Sequence, residues 1–196
     1  MKVVDLVKDP QPILWQACVD AISQSRDPLR GNYSKIKFDE FLSFPAVVDQ
    51  DQIVCFSGLQ YSERKWGQGI ARASSRMWIH PEYRHPGLTK YSGGAKFLNT
   101  TYCLPRQFAV AKENNIDCIF ISRETNPRGF EQYLKLIEIN CNYKFTLLSY
   151  FYNVCGPQIK VPESCRQYVA VHYATEQGHN IWQDTMDDYR LTECLI

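Results

Sequence analysis

The chain has 196 residues and a net charge of +1, and 44% of its residues are hydrophobic and 13% aromatic. This composition can bury one sizeable core, and a chain of this length is typical of a single domain. No apolar run approaches the roughly 18 residues of a membrane-spanning helix, and charge and proline interrupt the N-terminal stretch before a signal-peptide core could form. We therefore expect a soluble, cytoplasmic protein without a membrane partner.

The first half of the chain is predicted to contain both strands and helices. Asp9-Pro10 is typical of a helix start, because aspartate caps helices and proline suits the first helical turn. A polar turn joins two extended runs into a hairpin. The expected elements are a strand at 3–8, a helix at 10–24, a short helix at 37–42, and strands at 44–48, 53–61 and 71–80.

In the second half of the chain, the apolar residues of 88–101 recur with no clear period, and this stretch is interpreted as a loop. Pro105 fits the first turn of one predicted helix, and Asn126 is the expected cap of the next. The expected elements are a helix at 101–114, a strand at 117–122, a helix at 126–140, strands at 144–154 and 165–174, and a polar C-terminal extension at 175–196.

The order of these elements indicates an α/β fold of the α+β type. We expect one domain over residues 1–174, built on a mixed sheet of about seven strands with helices on both faces. A strand–turn–helix–strand unit lies at its centre, and such a unit is a crossover between parallel strands. Strands 71–80 and 117–122 are therefore predicted to be adjacent and parallel.

The eight cysteines contain no C-x-x-C pair, and most lie in apolar runs such as IVCF and DCIFI. We interpret them as reduced and mostly buried thiols. A disulfide framework is the less favoured alternative, because a chain of this size can build its core without one.

Positive charge is concentrated in one part of the chain. The window from Arg64 to Lys112 holds nine basic residues and one acid, Glu82, which gives +8 there and −7 elsewhere. Such a window favours a polyanionic ligand, although residues clustered in sequence need not be clustered in space.

The stretch HPEYRHPGL (80–88) follows the strand 71–80 and contains an arginine, a proline and a glycine. A strand that runs into a turn and a helix brings backbone N–H groups and the positive end of a helix dipole to one point, which suits a pyrophosphate. His80 and His85, with Glu82 between them, have no further ligand of suitable spacing nearby, so no metal site is expected there.

The stretch from Arg84 to Thr89 resembles the acyl-CoA pyrophosphate loop of the general-control-type N-acyltransferase (GNAT) superfamily, which reads Gln/Arg-x-x-Gly-x-Gly/Ala. Thr89 stands where the family has glycine or alanine. Asn126, Gly129 and Tyr133 match the spacing of the family's Asn-x-x-Ala-x-x-Leu-Tyr motif. By element order, the resemblance extends over roughly residues 44–155.

The resemblance implies a GNAT-like sheet and an N-acyltransferase that uses acetyl-CoA or another acyl-CoA and a small-molecule or macromolecular amine. It implies that Tyr133 protonates the departing thiolate. Glu124 and His80 are the candidate general bases, because each lies at the end of a central strand. The candidate acyl-CoA ligands are Ile79, Arg84, His85, Gly87, Leu88, Thr89 and Asn126.

The alternative is a nucleic-acid-binding or nucleobase-modifying protein on a GNAT-like scaffold. Its candidate phosphate ligands are Arg64, Lys65, Arg72, Arg76 and Lys90. The aromatic residues interleaved with them could stack on bases; they are Trp66, Trp78, Tyr83, Tyr91 and Tyr102. For both hypotheses, the structural alternative is that these side chains are ordinary packing or surface residues.

Overall fold

The structure is a computed structural model that describes residues 1–24, 38–61, 69–84, 97–122, 135–141, 146–151 and 167–172. Within 120–122, 146–151 and 167–172 it describes the backbone alone. Every predicted strand lies at least partly in these segments. The extension predicted at 175–196 lies outside them.

One mixed sheet of eight strands forms the centre of the fold. The strands are β1 (Lys2–Asp5), β2 (Phe41–Ser43), β3 (Pro45–Asp49), β4 (Gln52–Tyr61), β5 (Ile70–Ile79), β6 (Asp117–Ser122), β7 (Thr146–Phe151) and β8 (Gln167–His172). Their order is β1-β3-β4-β5-β6-β8-β7, with β2 also paired to β4. Among the described strand pairs, β5 and β6 are parallel and the others are antiparallel.

This architecture confirms the predicted α+β fold. β2 pairs with β4 at Leu59 and Gln60, and β3 pairs with the other half of β4. Because β5 occupies the opposite edge of β4, β2 and β3 share one position, and the sheet has the predicted width of about seven strands. The predicted parallel pairing of strands 71–80 and 117–122 is also confirmed.

Helix α1 (Pro12–Ser23) covers one face of the sheet. Its buried residues Cys18 and Ile22 pack against side chains from β1 to β4. An aromatic row crosses the same face: the ring centroids of Trp15 and Phe44 lie 4.9 Å apart, those of Phe44 and Phe56 5.6 Å, and those of Phe56 and Trp78 5.5 Å. This row ties α1 to the central strands.

The opposite face is covered by a helix over residues 97–113, in which Asn99–Cys103 is π-helical and α2 (Leu104–Glu113) is α-helical. Leu104 and Phe108 pack on β4 and β5, and Ile137 of the helix at 135–141 joins the same cluster. Side chains three residues apart on a strand point to opposite faces, as Phe56 and Leu59 do here. Helices therefore lie on both faces, as predicted.

The N-terminal predictions need two corrections. The first strand ends at Asp5 rather than at residue 8, because the Asp5 side chain accepts the Val7 N–H and its backbone carbonyl accepts the Asp9 N–H, which closes a turn. The first helix begins at Pro12 with Gln11 as its N-cap, so Asp9-Pro10 is not its start. Gln11 donates a side-chain hydrogen bond to Asp9 instead.

The short helix predicted at 37–42 is also wrong in part. Residues Phe38–Glu40 form one 3₁₀ turn, and Phe41–Ser43 forms β2. The aromatic rings of Phe41 and Phe44 lie 4.9 Å apart in the core beneath α1. Burial of these two rings against the sheet outweighs the helical pattern of the preceding residues.

The helix predicted at 101–114 begins four residues earlier, since residues 97–100 are already helical. Pro105 therefore lies inside the helix. Proline has no N–H to donate to the preceding turn, and the π-helical segment Asn99–Cys103 directly before Leu104 accommodates this loss. The interpretation of 88–101 as loop is thus wrong for its last residues.

The described cysteines, Cys18, Cys55, Cys103, Cys118 and Cys141, are all free thiols, which confirms the prediction for these five. Four of them are buried, and the Cys55 and Cys103 sulfurs lie 4.0 Å apart. Within the described segments, no helix has the length and apolar character needed to cross a membrane.

Candidate functional site

The sheet opens between its two parallel strands. Ile70–Ala73 of β5 pairs with Asp117–Phe120 of β6, and β5 then continues to Ile79. Among the described residues, none pairs with this edge of β5 beyond Ala73. The opening lies at the carboxyl ends of two adjacent parallel strands, which is where open α/β sheets bind ligands.

β5 is doubly bulged where the opening begins. Its residues from Ala71 to Ile79 lie opposite the shorter stretch of β4 from Tyr61 to Cys55, and the register shifts twice between these ends. The two shifts coincide with positive φ angles of 55° at Ser74 and 56° at Arg76. Bulges bend a strand and increase its twist, and these two come directly after Ala73, the last described residue of β5 that pairs with β6.

The side chain of Gln107, on α2, bridges the bulged part of the β4–β5 ladder. Its Nε2 donates to the carbonyl of Ser57 on β4 at 3.0 Å and to the hydroxyl of the same residue at 2.7 Å. Its Oε1 accepts the backbone N–H of Ser74 on β5 at 2.8 Å. One primary amide thus connects the two strands where their ladder is bulged.

Asn99, from the π-helical segment, makes a second bridge beside the first. Its Oδ1 accepts the Ser57 hydroxyl at 2.5 Å, and its Nδ2 donates to the Ser74 hydroxyl at 2.9 Å. Asn99, Gln107 and Ser57 all have 0% exposure. Their side chains form a polar network inside the core, on the face covered by the helix.

The predicted acyl-CoA ligands Ile79 and Arg84 meet at the far end of β5. Arg84 ends a 3₁₀ turn, Pro81–Arg84, and its Nε donates to the Ile79 carbonyl at 2.6 Å. The hydrogen bond that Tyr83 donates to Asp49, at 2.9 Å, closes the same region and raises the pKa of the Tyr83 phenol. The exposed Arg84 is therefore fixed at the point where the chain leaves β5.

His80, a predicted general base, lies at this same end. Its Nδ1 lies 3.3 Å from the backbone N of Glu82, and its Nε2 lies 2.8 Å from the side-chain amide nitrogen of Gln52. From Ala73, where the opening begins, His80 is about 20 Å away along the strand. The imidazole must exchange one of its two partners before it can take a proton from a substrate.

The other predicted acyl-transfer residues lie outside the described segments. They are Tyr133, Glu124, His85, Gly87, Leu88, Thr89 and Asn126. The helix at 135–141 follows Tyr133 and confirms the later part of the predicted helix 126–140. Their roles stay predictions.

Of the predicted nucleic-acid ligands, Arg72 and Arg76 are described and both are half-buried on β5, whereas Arg64, Lys65 and Lys90 lie outside the described segments. Three of the aromatic residues proposed for base stacking pack on the protein itself. Trp78 stacks on Phe56, Tyr83 bonds to Asp49, and Tyr102 packs on the core cluster that contains Leu98 and Cys103. These contacts match the structural alternative for the three aromatic side chains.

Several solved structures that share this architecture are acetyltransferases. An aminoglycoside 6'-N-acetyltransferase complexed with coenzyme A is 14% identical, with a TM-score of 0.56 over 89% of this chain and 98% of that chain. The aminoglycoside 6'-N-acetyltransferase from Enterococcus faecium is 13% identical, with a TM-score of 0.54 over the same shares of the two chains. A GNAT-family acetyltransferase from Streptococcus pneumoniae is 12% identical, with a TM-score of 0.50 over 88% and 99%.

No protein-family model matches the chain, and no curated protein matches its sequence. The likeness is therefore one of fold. The protein has the GNAT fold, as its sequence motifs predict, at a sequence identity low enough to make it a divergent example.

Sequence reasoning missed Asn99 and Gln107. Asn99 falls in the stretch interpreted as loop, and Gln107 is a polar residue between apolar helix positions. A signal was available for Gln107, since it follows Leu104 by three residues and so belongs on the helix face that Leu104 and Phe108 bury. A polar residue on that face indicates hydrogen-bond partners inside the protein, and here they are Ser57 and Ser74.

Proposed function

We propose that the protein is an N-acyltransferase that transfers an acyl group from acyl-CoA to the amine of a small molecule or macromolecule. The observation that carries this proposal is the opening between β5 and β6 in a sheet of GNAT fold. Such an opening gives a ligand access to the middle of an otherwise continuous sheet.

The edge of β5 beyond Ala73 suits the arm of acyl-CoA. This arm carries amide groups between the thioester and the diphosphate, and an exposed strand edge binds an extended amide chain through its backbone N–H and C=O groups. In the proposed pose the thioester lies near the bulge at Ser74. The diphosphate lies at the other end of β5, near Arg84 and the predicted ligands that follow it in sequence, His85, Gly87, Leu88 and Thr89.

The register of the sheet favours Glu124 over His80 as the base. The last pair is Ala73 with Phe120, and β6 ends two residues later at Ser122, close to the proposed thioester position near Ser74. Glu124 follows two residues later, whereas His80 lies at the proposed diphosphate end. In this proposal Glu124 is therefore the general base, which takes the proton of the amine by direct contact or through one water.

The reaction then proceeds by attack of the neutral amine on the thioester carbonyl carbon. A C–N bond forms, the C–S bond breaks after a tetrahedral intermediate, and the amine nitrogen loses one proton to the base. Tyr133 gives a proton to the departing thiolate of CoA. Backbone N–H groups on the open edge of β5 are the proposed donors to the oxyanion of the intermediate.

Calorimetric titration of the full chain with CoA and with acetyl-CoA tests this proposal. We expect saturable binding of both at submillimolar ligand, and release of free CoA thiol when an accepted amine is added. Absence of binding at millimolar ligand would contradict it. A parallel titration with heparin over a series of salt concentrations examines the nucleic-acid alternative. Binding to phosphates predicts that the logarithm of the heparin affinity falls linearly with the logarithm of the salt concentration.

A further inference from the structure

The amide side chains of Gln107 and Asn99 occupy positions that a helix packed on a sheet would ordinarily fill with apolar groups. Both are fully buried, and burying an amide is unfavourable unless its hydrogen bonds are satisfied. Both amides bond to the same two residues of the sheet, Ser57 and Ser74. Two independent helix positions thus converge on the same point of the β4–β5 ladder.

At Ser57 and Ser74 the β4–β5 ladder is irregular, and the backbone of β5 is in an unfavourable conformation. Ser74 has a positive φ, which is unfavourable for a residue with a side chain, and it follows directly after Ala73, the last residue paired with β6. The ladder to β4 is interrupted on both sides of Gly58. A strained residue in an interrupted ladder persists only where its surroundings fix it.

We infer that Gln107 and Asn99 are positioning residues that fix the bulge at Ser74 and so keep β5 diverging from β6 at the acyl-CoA site. The inference rests on the proposed function. Gln107 fixes the backbone, since it holds the Ser74 N–H and the Ser57 carbonyl at once. Asn99 fixes the side chains of the same two serines.

Loss of the Gln107 hydrogen bonds has a defined consequence for the sheet. Without Gln107, the half-buried Ser74 N–H and the buried Ser57 carbonyl lose these hydrogen bonds and need new partners. The nearest way to satisfy them is a regular ladder between β4 and β5, which removes a bulge and returns β5 toward the line of β6. The opening then narrows, and acyl-CoA affinity falls even though the chain is folded.

The test compares Gln107→Met with Asp5→Ala, which is a matched control. Gln107 and Asp5 each make three hydrogen bonds from a buried side chain, but Asp5 lies on β1, three strands away from β5. Both variants are titrated calorimetrically with CoA under conditions in which circular dichroism shows them folded. We expect Gln107→Met to raise the Kd for CoA at least about tenfold and Asp5→Ala to leave it within about twofold.

Gln107→Glu provides a second variant that keeps the shape of the side chain. When protonated, its carboxyl group donates to Ser57 and accepts the Ser74 N–H, but when ionised it can only accept. A carboxyl buried beside the Ser57 carbonyl has a raised pKa, so the bridge is present at low pH and is lost as the pH rises. We expect CoA affinity near that of the wild type at about pH 5 and at least about tenfold weaker than the wild type at about pH 8.

The outcomes separate the inference from the function it rests on. If the wild type binds CoA and Gln107→Met has the same Kd, the positioning role alone is overturned. The same conclusion follows if the ratio of the Gln107→Glu affinity to the wild-type affinity is equal at both pH values. Equal losses in Gln107→Met and Asp5→Ala overturn it too, because they would reflect general destabilisation. Absence of CoA binding by the wild type overturns the proposed function itself, and the inference with it.

Discussion

The Asp5 carboxylate accepts a hydrogen bond from the Ser43 hydroxyl at 2.6 Å, and this contact joins β1 to the end of β2. The same carboxylate accepts the backbone N–H of Phe44 at 2.9 Å and that of Val7 at 3.1 Å. Asp5 is only 6% exposed. Its three donors make it a structural anchor for the edge of the sheet.

Asp5→Ala is expected to lower the free energy of unfolding by about 2–4 kcal/mol, because it leaves buried N–H and hydroxyl donors without an acceptor. Urea denaturation followed by circular dichroism measures the change. The matched control is Asp9→Ala, since Asp9 is an exposed carboxylate that accepts from the exposed Gln11 side chain. That change should stay within about 0.5 kcal/mol, and equal effects of the two would contradict the anchor role.

Gly58 is required by packing rather than by backbone conformation. A Cβ at Gly58 would overlap the Phe41 ring and lie 2.8 Å from Cδ2 of Phe44. Both rings are held in place by Trp15. We expect Gly58→Ala to lower the free energy of unfolding by about 1–3 kcal/mol through overpacking, as measured by urea denaturation.

A second substitution distinguishes overpacking from other causes. Phe41→Leu removes the ring atoms that the new Cβ would meet, so the double variant should be more stable than the sum of the two single changes predicts. Gly69→Ala is the contrasting case. Gly69 has a φ of 74°, and no atom of the described residues lies within 4 Å of the place that a Cβ would take. Its cost of about 1–2 kcal/mol is therefore backbone strain, which Phe41→Leu cannot relieve.

Buried thiols lower the stability of the fold at alkaline pH. Cys118 is fully buried, and burial raises the pKa of its thiol above the ordinary value of 9.0, with a smaller contribution from Asp117. The folded chain therefore keeps a proton that the unfolded chain loses. Stability from this thiol is fully present below pH 9.0 and declines above it, by up to about 1.4 kcal/mol per pH unit.

Urea denaturation of the wild type and of Cys118→Ala from about pH 8 to about pH 11 checks this linkage, because other titrating groups are common to both chains. The wild type should lose stability more steeply than the variant above pH 9.0. Parallel curves would show that the Cys118 thiol ionises equally in the folded and unfolded chains.

The sequence predicts the frame of the fold because the frame depends on local patterns. Continuous apolar runs mark β4 and β6, and the crossover rule then places β5 beside β6 in parallel. The helix starts were predicted less well, because Asp9 and the residues before Pro105 satisfy local rules that other contacts override. The Asp5 carboxylate closes the turn at Val7, which delays α1 to Pro12.

The geometry of the candidate site could not be predicted in the same way. The bulges at Ser74 and Arg76 involve residues that carry no turn signal, since neither is glycine, asparagine or aspartate. The partners of Ser74, Gln107 and Asn99, are distant in sequence and reach it only after the helix has packed on the sheet. Motif spacing predicts residues for the ends of the site, whereas the shape between them depends on tertiary contacts.

The last prediction separates binding from chemistry under the proposed function, with Gly87→Val and Tyr133→Phe. Gly87→Val adds a branched side chain where the backbone is proposed to approach the diphosphate closely, so CoA affinity should fall far more than thermal stability.

Tyr133→Phe should have the opposite kinetic signature. It removes the proposed proton donor and keeps the ring, so the CoA affinity should be retained while turnover slows by about one to three orders of magnitude. Calorimetry gives the two affinities, and thiol release under saturating acetyl-CoA gives the two rates. The two variants must differ, because one residue is assigned to binding in the ground state and the other to the transition state. A Tyr133→Phe variant with wild-type turnover would assign Tyr133 to packing against the sheet, and a Gly87→Val variant with wild-type affinity would move the diphosphate away from this turn.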